Sequence, residues 1–192
     1  MQSLAISLLT ICGIEELATK AQARVSHVLS IVDPELPEIE TFSVFDPHHR
    51  VILRFHDIID PAPGMIMPQE KDVADILAFG EGLLADKDSR VDGHLLVHCH
   101  MGVSRSTAAM TTLMAQADPD TDEDALFARL REIRPQAWPN SVMIAMADEA
   151  LGRKGRLTEA LRRHYGVQIK LKPEYTDWIS SLGRSREVEM AL

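Results

Sequence analysis

Short apolar runs separated by polar or turn-forming residues dominate the first half of the chain. Residues 4–9, 26–32 and 51–56 are rich in leucine and β-branched side chains, which predicts three strands. From Gln69 onward apolar side chains recur every three or four residues, as on one face of a helix, and residues 94–98 again have the character of a buried strand. Strand, helix and strand in this order imply a right-handed crossover. We therefore expect an α/β fold with a central mixed or parallel sheet flanked by helices.

The second half of the chain is predicted to be mainly helical. Ser106 and Thr107 open a helix rich in alanine, methionine and leucine, which Asp118-Pro119 ends. Capping signals at residues 121–124 and at Asn140 predict two further helices. A last, basic helix is expected after them, and the pattern of the C-terminal tail does not decide whether the tail packs.

Charge and cysteine usage narrow the functional classes. The chain has 192 residues, with 29 Asp plus Glu against 20 Lys plus Arg and a net charge of −9, so neither nucleic acid nor a membrane surface is an expected partner. Its two cysteines, Cys12 and Cys99, form neither a disulfide framework nor the paired spacing of a zinc site. The N-terminal apolar run lacks a preceding basic residue and is predicted to be a first strand rather than a secretory signal. We expect a cytoplasmic protein; its oligomeric state stays open.

The segment 95–107 carries the candidate chemistry. A buried strand leads into Cys99, a short loop with Gly102 follows, and Arg105 stands at the start of a helix. Backbone N–H groups of residues 100–105 can turn inward in such a loop, and the helix adds its positive end. Arg105 offers a planar fork that matches two phosphate oxygens, which a lysine lacks. The same positive field stabilises a thiolate, so the segment predicts a phosphoryl-transfer site with Cys99 as its nucleophile.

This segment resembles the signature of the cysteine-based protein tyrosine phosphatases, which is His-Cys, five residues, Arg, and then Ser or Thr. The matching residues are His98, Cys99, Gly102, Arg105 and Ser106. The short chain is similar to the dual-specificity subgroup of that superfamily, and flanking stretches extend the resemblance over roughly residues 20–152. A length of 192 residues favours one hydrophobic core, so we expect a single phosphatase domain over residues 1–192, with its core over about residues 20–152 and a C-terminal helix and tail over residues 153–192.

The resemblance also implies a role for each residue of the motif. Cys99 would attack phosphorus, and Arg105 would bind the phosphoryl oxygens together with the loop N–H groups. Ser106 would hydrogen-bond the sulfur and make it a better leaving group in the second step, and His98 would hold the shape of the loop. The implied substrate-binding residues are His100, Met101, Gly102, Val103, Ser104 and Arg105. No cofactor and no metal are expected, since the adjacent residues 98–100 cannot easily converge on one ion.

The resemblance also implies a general acid, which would be an aspartate from a loop upstream of the signature. Asp57 is the first choice and Asp60 the second; both lie farther upstream than is usual in the subgroup, because residues 61–68 look like an enlarged loop. Cys12 is expected to be a buried strand-end thiol, and the sequence leaves open whether it reaches Cys99.

Three functions remain after the motif is assigned. The first is a phosphoric monoester hydrolase acting on phosphotyrosine, with phosphoserine and phosphothreonine as further options. The second is a phosphate-binding module without turnover, and the third is a phosphatase of a small-molecule or lipid phosphate. The loop contains no lysine, which disfavours polyanionic lipid headgroups. An acidic body around one anion site favours a single phosphoryl group on a neutral or basic carrier.

Overall fold

A four-stranded sheet forms the centre of the molecule. The computed structural model describes residues 8–85 and 93–192. The strands are β1 (Leu8–Cys12), β2 (His27–Val32), β3 (His49–Arg54) and β4 (His94–His98). Their order is β1-β4-β2-β3 and every neighbouring pair is parallel, so the parallel form of the predicted sheet is confirmed and the mixed form is wrong for the described strands. Residues 4–7 of the predicted first strand lie outside the described residues.

The described part of the chain contains seven α-helices. They are α1 (Glu70–Ala85), α2 (Arg105–Ala117), α3 (Glu123–Ile133), α4 (Ser141–Ala150), α5 (Arg156–Leu171), α6 (Tyr175–Ser181) and α7 (Ser185–Glu189). Two short 3₁₀ helices, Ile14–Lys20 and Glu40–Val44, follow β1 and precede β3. The fold class is therefore α/β, as the alternating pattern predicts.

Some helix and strand boundaries differ from those predicted by one or two residues, whereas the predicted caps lie close to their expected positions. The helix expected to open at Ser106 and Thr107 already begins at Arg105. Asp122 caps α3 by accepting from the N–H groups of Asp124 and Ala125, and the predicted cap Asn140 caps α4 in the same way. The strand expected over residues 51–56 lies two residues earlier, over His49–Arg54, where its ladder with β2 starts from His27.

The C-terminal tail packs against the rest of the molecule. The N–H of Leu192 donates to the carbonyl oxygen of Arg162, and Arg162 Nε donates to that of Met190. Trp138 is fully buried, stacks on Tyr165 with ring centroids 4.1 Å apart, and donates through Nε1 to Glu187 of α7. The tail thus closes over the core near the carboxyl ends of the strands. No helix within residues 8–85 and 93–192 is both long and apolar enough to cross a membrane.

Candidate active site

Cys99 follows β4 directly and lies at the base of a loop that leads into α2. Its side chain is buried, and its Sγ lies 3.2 Å from Oγ of Ser106 in the first turn of α2. The hydroxyl is thus within hydrogen-bond reach of the sulfur. Cys12 is also buried, at the end of β1, as expected, and burial together with the nearby Glu16 carboxylate raises its pKa to about 12.

The backbone of the loop is polarised, with its carbonyl groups facing the protein. The carbonyl oxygens of residues 100–104 all accept hydrogen bonds from the surrounding scaffold; the donors are the N–H groups of Ile14, Trp138 and Ala108, the Arg134 guanidinium and the Thr107 hydroxyl. By contrast, no N–H group of residues 100–105 has a protein acceptor among the described residues. Unpaired N–H groups in a loop at a helix N-terminus are suited to binding an anion.

Two contacts hold the loop in this shape. Gly102 has φ +67°, and a Cβ there would lie 2.4 Å from the carbonyl carbon of Cys12, so only glycine fits this turn. Arg134 donates to the carbonyl oxygens of Met101 and Gly102 at 2.9 Å. The same guanidinium forms a two-pronged pair with Glu16, at 2.7 and 2.9 Å, which lowers the pKa of that carboxyl below its usual range. The pair thereby braces the outer face of the loop.

The guanidinium of Arg105 is hydrogen-bonded to protein atoms through Nη1 but not through Nε in the described structure. Its Nη1 donates to Oδ1 of Asp33 at 2.7 Å and to the carbonyl oxygen of Phe55. Its side chain is buried, and its buried Nε has no hydrogen-bond partner in the described structure. An unpaired buried donor costs free energy. This edge of the guanidinium is therefore arranged to receive an oxygen atom from a ligand.

Asp57 lies in the same pocket, and its carboxylate is held through one oxygen. Ser104 Oγ donates to Oδ1 at 2.7 Å, Asn140 Nδ2 at 3.0 Å and Arg184 Nη1 at 3.3 Å. No described residue hydrogen-bonds Oδ2. Burial raises the pKa of Asp57, but the charges of Arg184 and Arg105 and the bonds from Asn140 and Ser104 outweigh it and hold the pKa below its usual range.

Asp60, the second choice for the acid, has different surroundings. Its exposed carboxylate lies 3.1 Å from Nη1 of Arg186, and the residue does not line the pocket that contains Cys99. Asp33 does line that pocket, but it binds Arg105 through Oδ1 while Oδ2 lies 3.5 Å from Nε2 of His100. Among these three aspartates, Asp57 alone lines the pocket without being paired to Arg105.

His98 is buried behind the loop. Its Nε2 lies 2.7 Å from Ser30 Oγ on the adjacent strand β2, and that hydroxyl accepts a hydrogen bond from Arg50 Nε at 2.9 Å. Arg50 in turn lies over the ring of Phe42, 3.9 Å from its centroid. Burial lowers the pKa of His98 to about 4, so the imidazole is neutral at pH 7.

The pocket above Cys99 has a volume of about 320 Å³. Of the six predicted substrate-binding residues, Gly102 alone is absent from its lining, because it packs against Cys12 instead. The other lining residues are Asp33, His56, Asp57, Ile58, Met65, Cys99, Trp178, Ile179, Leu182 and Arg184. A more open groove of about 660 Å³, between β3 and α1, contains none of the predicted site residues.

Sequence reasoning missed Asp33, Arg134 and Arg184. A signal existed for Asp33, because it directly follows β2, and the carboxyl ends of parallel neighbours β2 and β4 meet at one edge of the sheet. No comparable signal existed for Arg184, which lies 80 residues from its partner Ser104 in a part of the chain without a clear pattern.

The sequence and the structure of this chain are similar to those of known dual-specificity phosphatases. No protein-family model matches the chain. Dual specificity protein phosphatase 12 of Rattus norvegicus is 33% identical over 85 residues, which is 43% of this chain and 24% of that protein. The match thus spans about a quarter of the relative's length.

Solved structures extend the likeness over most of the chain. Human DUSP28 superposes with a TM-score of 0.55 at 18% identity, covering 78% of this chain and 92% of that one. A human tyrosine phosphatase-like serine/threonine/tyrosine-interacting protein superposes with a TM-score of 0.53 at 18% identity, covering 78% and 95%. The strand, loop and helix around Cys99 thus belong to a molecule that has the fold of the dual-specificity and tyrosine phosphatases.

Proposed function

We propose that this protein is a phosphoric monoester hydrolase that works through a cysteinyl-phosphate on Cys99. The observation that carries the proposal is the loop of residues 100–105, whose carbonyl oxygens are bonded to the scaffold while its N–H groups have no protein acceptor in the described structure. Such a loop binds the three equatorial oxygens of a phosphoryl group while that group is transferred from one atom to another. Arg105 adds its buried, unpartnered Nε to the same site.

In the first step the Cys99 thiolate attacks phosphorus in line with the bond to the leaving oxygen. The sulfur–phosphorus bond forms as the phosphorus–oxygen bond breaks, and the electron pair goes to the departing oxygen. Asp57 gives its proton to that oxygen from Oδ2, while Oδ1 stays bonded to Ser104, Asn140 and Arg184.

In the second step water attacks phosphorus and the electron pair of the broken bond returns to sulfur. The Asp57 carboxylate takes the proton of the attacking water, and inorganic phosphate is released. Ser106 Oγ, 3.2 Å from the sulfur, stabilises the departing thiolate by hydrogen bonding. His98 supports the loop from behind and transfers no proton.

The substrate in this proposal is a phosphorylated protein or a small phosphate carrying one phosphoryl group. Trp178, Ile179 and Leu182 supply apolar surface beside the phosphate site, which suits the ring of phosphotyrosine. Phosphoserine and phosphothreonine remain further options for the same chemistry. The whole chain, residues 1–192, acts as one domain, and no metal or organic cofactor takes part.

A direct test is hydrolysis of p-nitrophenyl phosphate in the presence of a chelator. We expect turnover that vanadate blocks and that Cys99→Ser abolishes, while the same variant still captures phosphopeptides. The matched control is Cys12→Ser, which removes the other buried thiol and is expected to keep turnover. Full activity of Cys99→Ser would overturn the proposal.

A second candidate function is phosphopeptide binding without turnover. The lowered pKa of Asp57 favours it, because a general acid must carry a proton. One structural neighbour is also described as phosphatase-like and as an interacting protein. However, an arriving phosphate dianion adds negative charge beside Asp57 and raises its pKa. Binding of a phosphopeptide by the wild-type protein without release of phosphate would decide for this candidate.

A further inference from the structure

Arg184 lies directly before α7 and is buried against the loop of residues 100–105, called the phosphate loop from here on. Its Nη1 donates to Ser104 Oγ at 2.7 Å and lies 3.3 Å from Asp57 Oδ1. Ser104 in turn donates to the same oxygen of Asp57, so the three side chains close a small triangle. The C-terminal segment therefore contacts both the loop and the candidate acid.

The other edge of this guanidinium is tied to Glu187. Arg184 Nε and Nη2 donate to the two carboxylate oxygens of Glu187 at 2.8 and 2.9 Å. Glu187 is fully buried and also accepts from Trp138 Nε1 and from the N–H of Ser141 at the start of α4. Each nitrogen of the guanidinium is thus occupied by a protein group, so Arg184 holds protein atoms rather than a ligand.

From this geometry we propose that Arg184 is a positioning residue of the phosphatase reaction: it fixes Oδ1 of Asp57 and the hydroxyl of Ser104, and so presents Oδ2 of Asp57 to the leaving group. The C-terminal segment, residues 172–192, is in this view a working part of the active site. The inference rests on the proposed function, because it assigns Asp57 as the acid of that reaction.

The planar guanidinium of an arginine is required at residue 184. Arg184 reaches Glu187 on one edge and Asp57 with Ser104 on the other, whereas a lysine offers one point charge and cannot satisfy both edges. Misplacement of a reacting group by about 1 Å costs roughly 10²-fold in rate. We therefore expect Arg184→Met to lower kcat for p-nitrophenyl phosphate by about 10²-fold and to leave KM within about threefold.

The pH profile separates the charge of Arg184 from its hydrogen bonds. Since Asp57 must be protonated to act, kcat falls on the alkaline side as its proton is lost. Removing the adjacent positive charge raises the pKa of Asp57, so Arg184→Met moves this limb to higher pH, whereas Arg184→Lys leaves the limb in place and lowers kcat by about tenfold. The charged or titratable side chains nearest Asp57 and Arg184 are Arg105, Tyr165 and Glu187, and the same pocket also contains Asp33, His56, Cys99 and His100.

The deciding experiment is a double-mutant cycle with Asp57→Asn on the full chain. If Arg184 acts through Asp57, Arg184→Met and Arg184→Lys change kcat by less than about threefold in the Asp57→Asn background. If Arg184 is merely structural, the losses multiply and the alkaline limb does not move, which overturns the inference. Arg163→Met is the matched control, because it removes the same group from an exposed pair with Asp124.

Folding is monitored by thermal unfolding and by the near-ultraviolet signal of Trp138, which Glu187 holds. Arg184→Met leaves Glu187 buried and short of a partner, which is destabilising. If Arg184→Met does not fold, the double-mutant cycle with Asp57→Asn is measured with Arg184→Lys alone, because that variant keeps the positive charge. If wild type shows no turnover or Cys99→Ser keeps it, the proposed function and this inference both fail; if these two behave as expected and the cycle is additive, the inference alone fails.

Discussion

Two arginine–aspartate pairs flank the phosphate loop, and they are arranged in opposite ways. Arg105 is anchored to Asp33 through Nη1 and keeps a buried Nε without a partner in the described structure. Arg184 is bonded through all three nitrogens, to Asp57, Ser104 and Glu187. An arginine with an unpaired edge is arranged to bind a ligand, whereas one with every donor occupied is arranged to hold the protein.

The aspartates of the two pairs, Asp33 and Asp57, also differ in the partners of their carboxylate oxygens. Asp33 binds Arg105 through Oδ1, and its Oδ2 lies 3.5 Å from Nε2 of His100, which has no hydrogen-bond partner among the described residues. Asp57 receives three hydrogen bonds on Oδ1 and has no described partner on Oδ2. Because Asp33 is paired to Arg105 and Asp57 is not, we predict that Asp33 holds the arginine and that Asp57 transfers the proton.

The largest expected effect comes from removing the proton of Asp57. Asp57→Asn should lower kcat by about 10²–10⁴-fold and leave KM nearly unchanged, because the amide keeps the shape of the side chain but cannot donate an acidic proton. Steady-state kinetics with an aryl phosphate measure it, with Asp60→Asn as the control. Loss of activity in Asp60→Asn with full activity in Asp57→Asn would reverse the assignment.

Replacing the fork of Arg105 should have the next largest effect. Arg105→Lys keeps the charge but loses the two-pronged contact with the phosphoryl oxygens, so we expect kcat to fall by about 10²–10³-fold and vanadate to bind less tightly. The same change at Arg184 is expected to cost only about tenfold. Equal losses at the two positions would remove the distinction between ligand-binding and positioning arginines.

The isosteric change Asp33→Asn should have a mild effect, and that effect should fall on KM, whereas Asp57→Asn lowers kcat. Asp33→Asn retains an oxygen that can accept from Arg105 Nη1 but removes a negative charge beside the phosphate site. We expect KM to fall by a few-fold and kcat to stay within about threefold. A loss of kcat near 10²-fold would instead identify Asp33 as the acid.

The last prediction concerns stability in acid rather than turnover, and it limits the pH range in which the two pairs can be compared. Burial lowers the pKa of His164 to about 4. Between pH 6.5 and 4 the unfolded chain binds a proton that the folded protein does not, so stability falls as pH falls, by roughly 3 kcal/mol in total. Urea unfolding should show a shallower pH dependence in His164→Asn than in His48→Asn, and identical slopes would contradict this reading.

The phosphate loop was predictable because its determinants are local in sequence. His98, Cys99, Gly102 and Arg105 lie within eight consecutive positions, and the strand before them and the helix after them carry clear periodicity. The contacts that orient these residues come from distant segments, so they depend on how strands and helices pack. Asp33 follows a parallel neighbour of β4 and could have been suspected from topology.

The C-terminal contribution could not be predicted from local pattern. Arg184 and Glu187, three positions apart, look like an exposed helical ion pair, the commonest setting for such spacing. In the structure both are buried, because Trp138 and Ser141 supply the remaining hydrogen-bond donors to Glu187. Only the packing of α6 and of the segment that follows it beside the pocket brings Arg184 next to Asp57 and Ser104.

The most direct test of the account is to trap the intermediate on Cys99. Ser106 Oγ lies 3.2 Å from the sulfur and is assigned to stabilise the thiolate as it leaves, so Ser106→Ala should slow the second step more than the first. Acid quenching of this variant during turnover of p-nitrophenyl phosphate, followed by peptide mass mapping, should find a phosphoryl group on the peptide that contains Cys99. Steady turnover without any such adduct, in a burst-free reaction that Cys99→Ser also supports, would contradict the account.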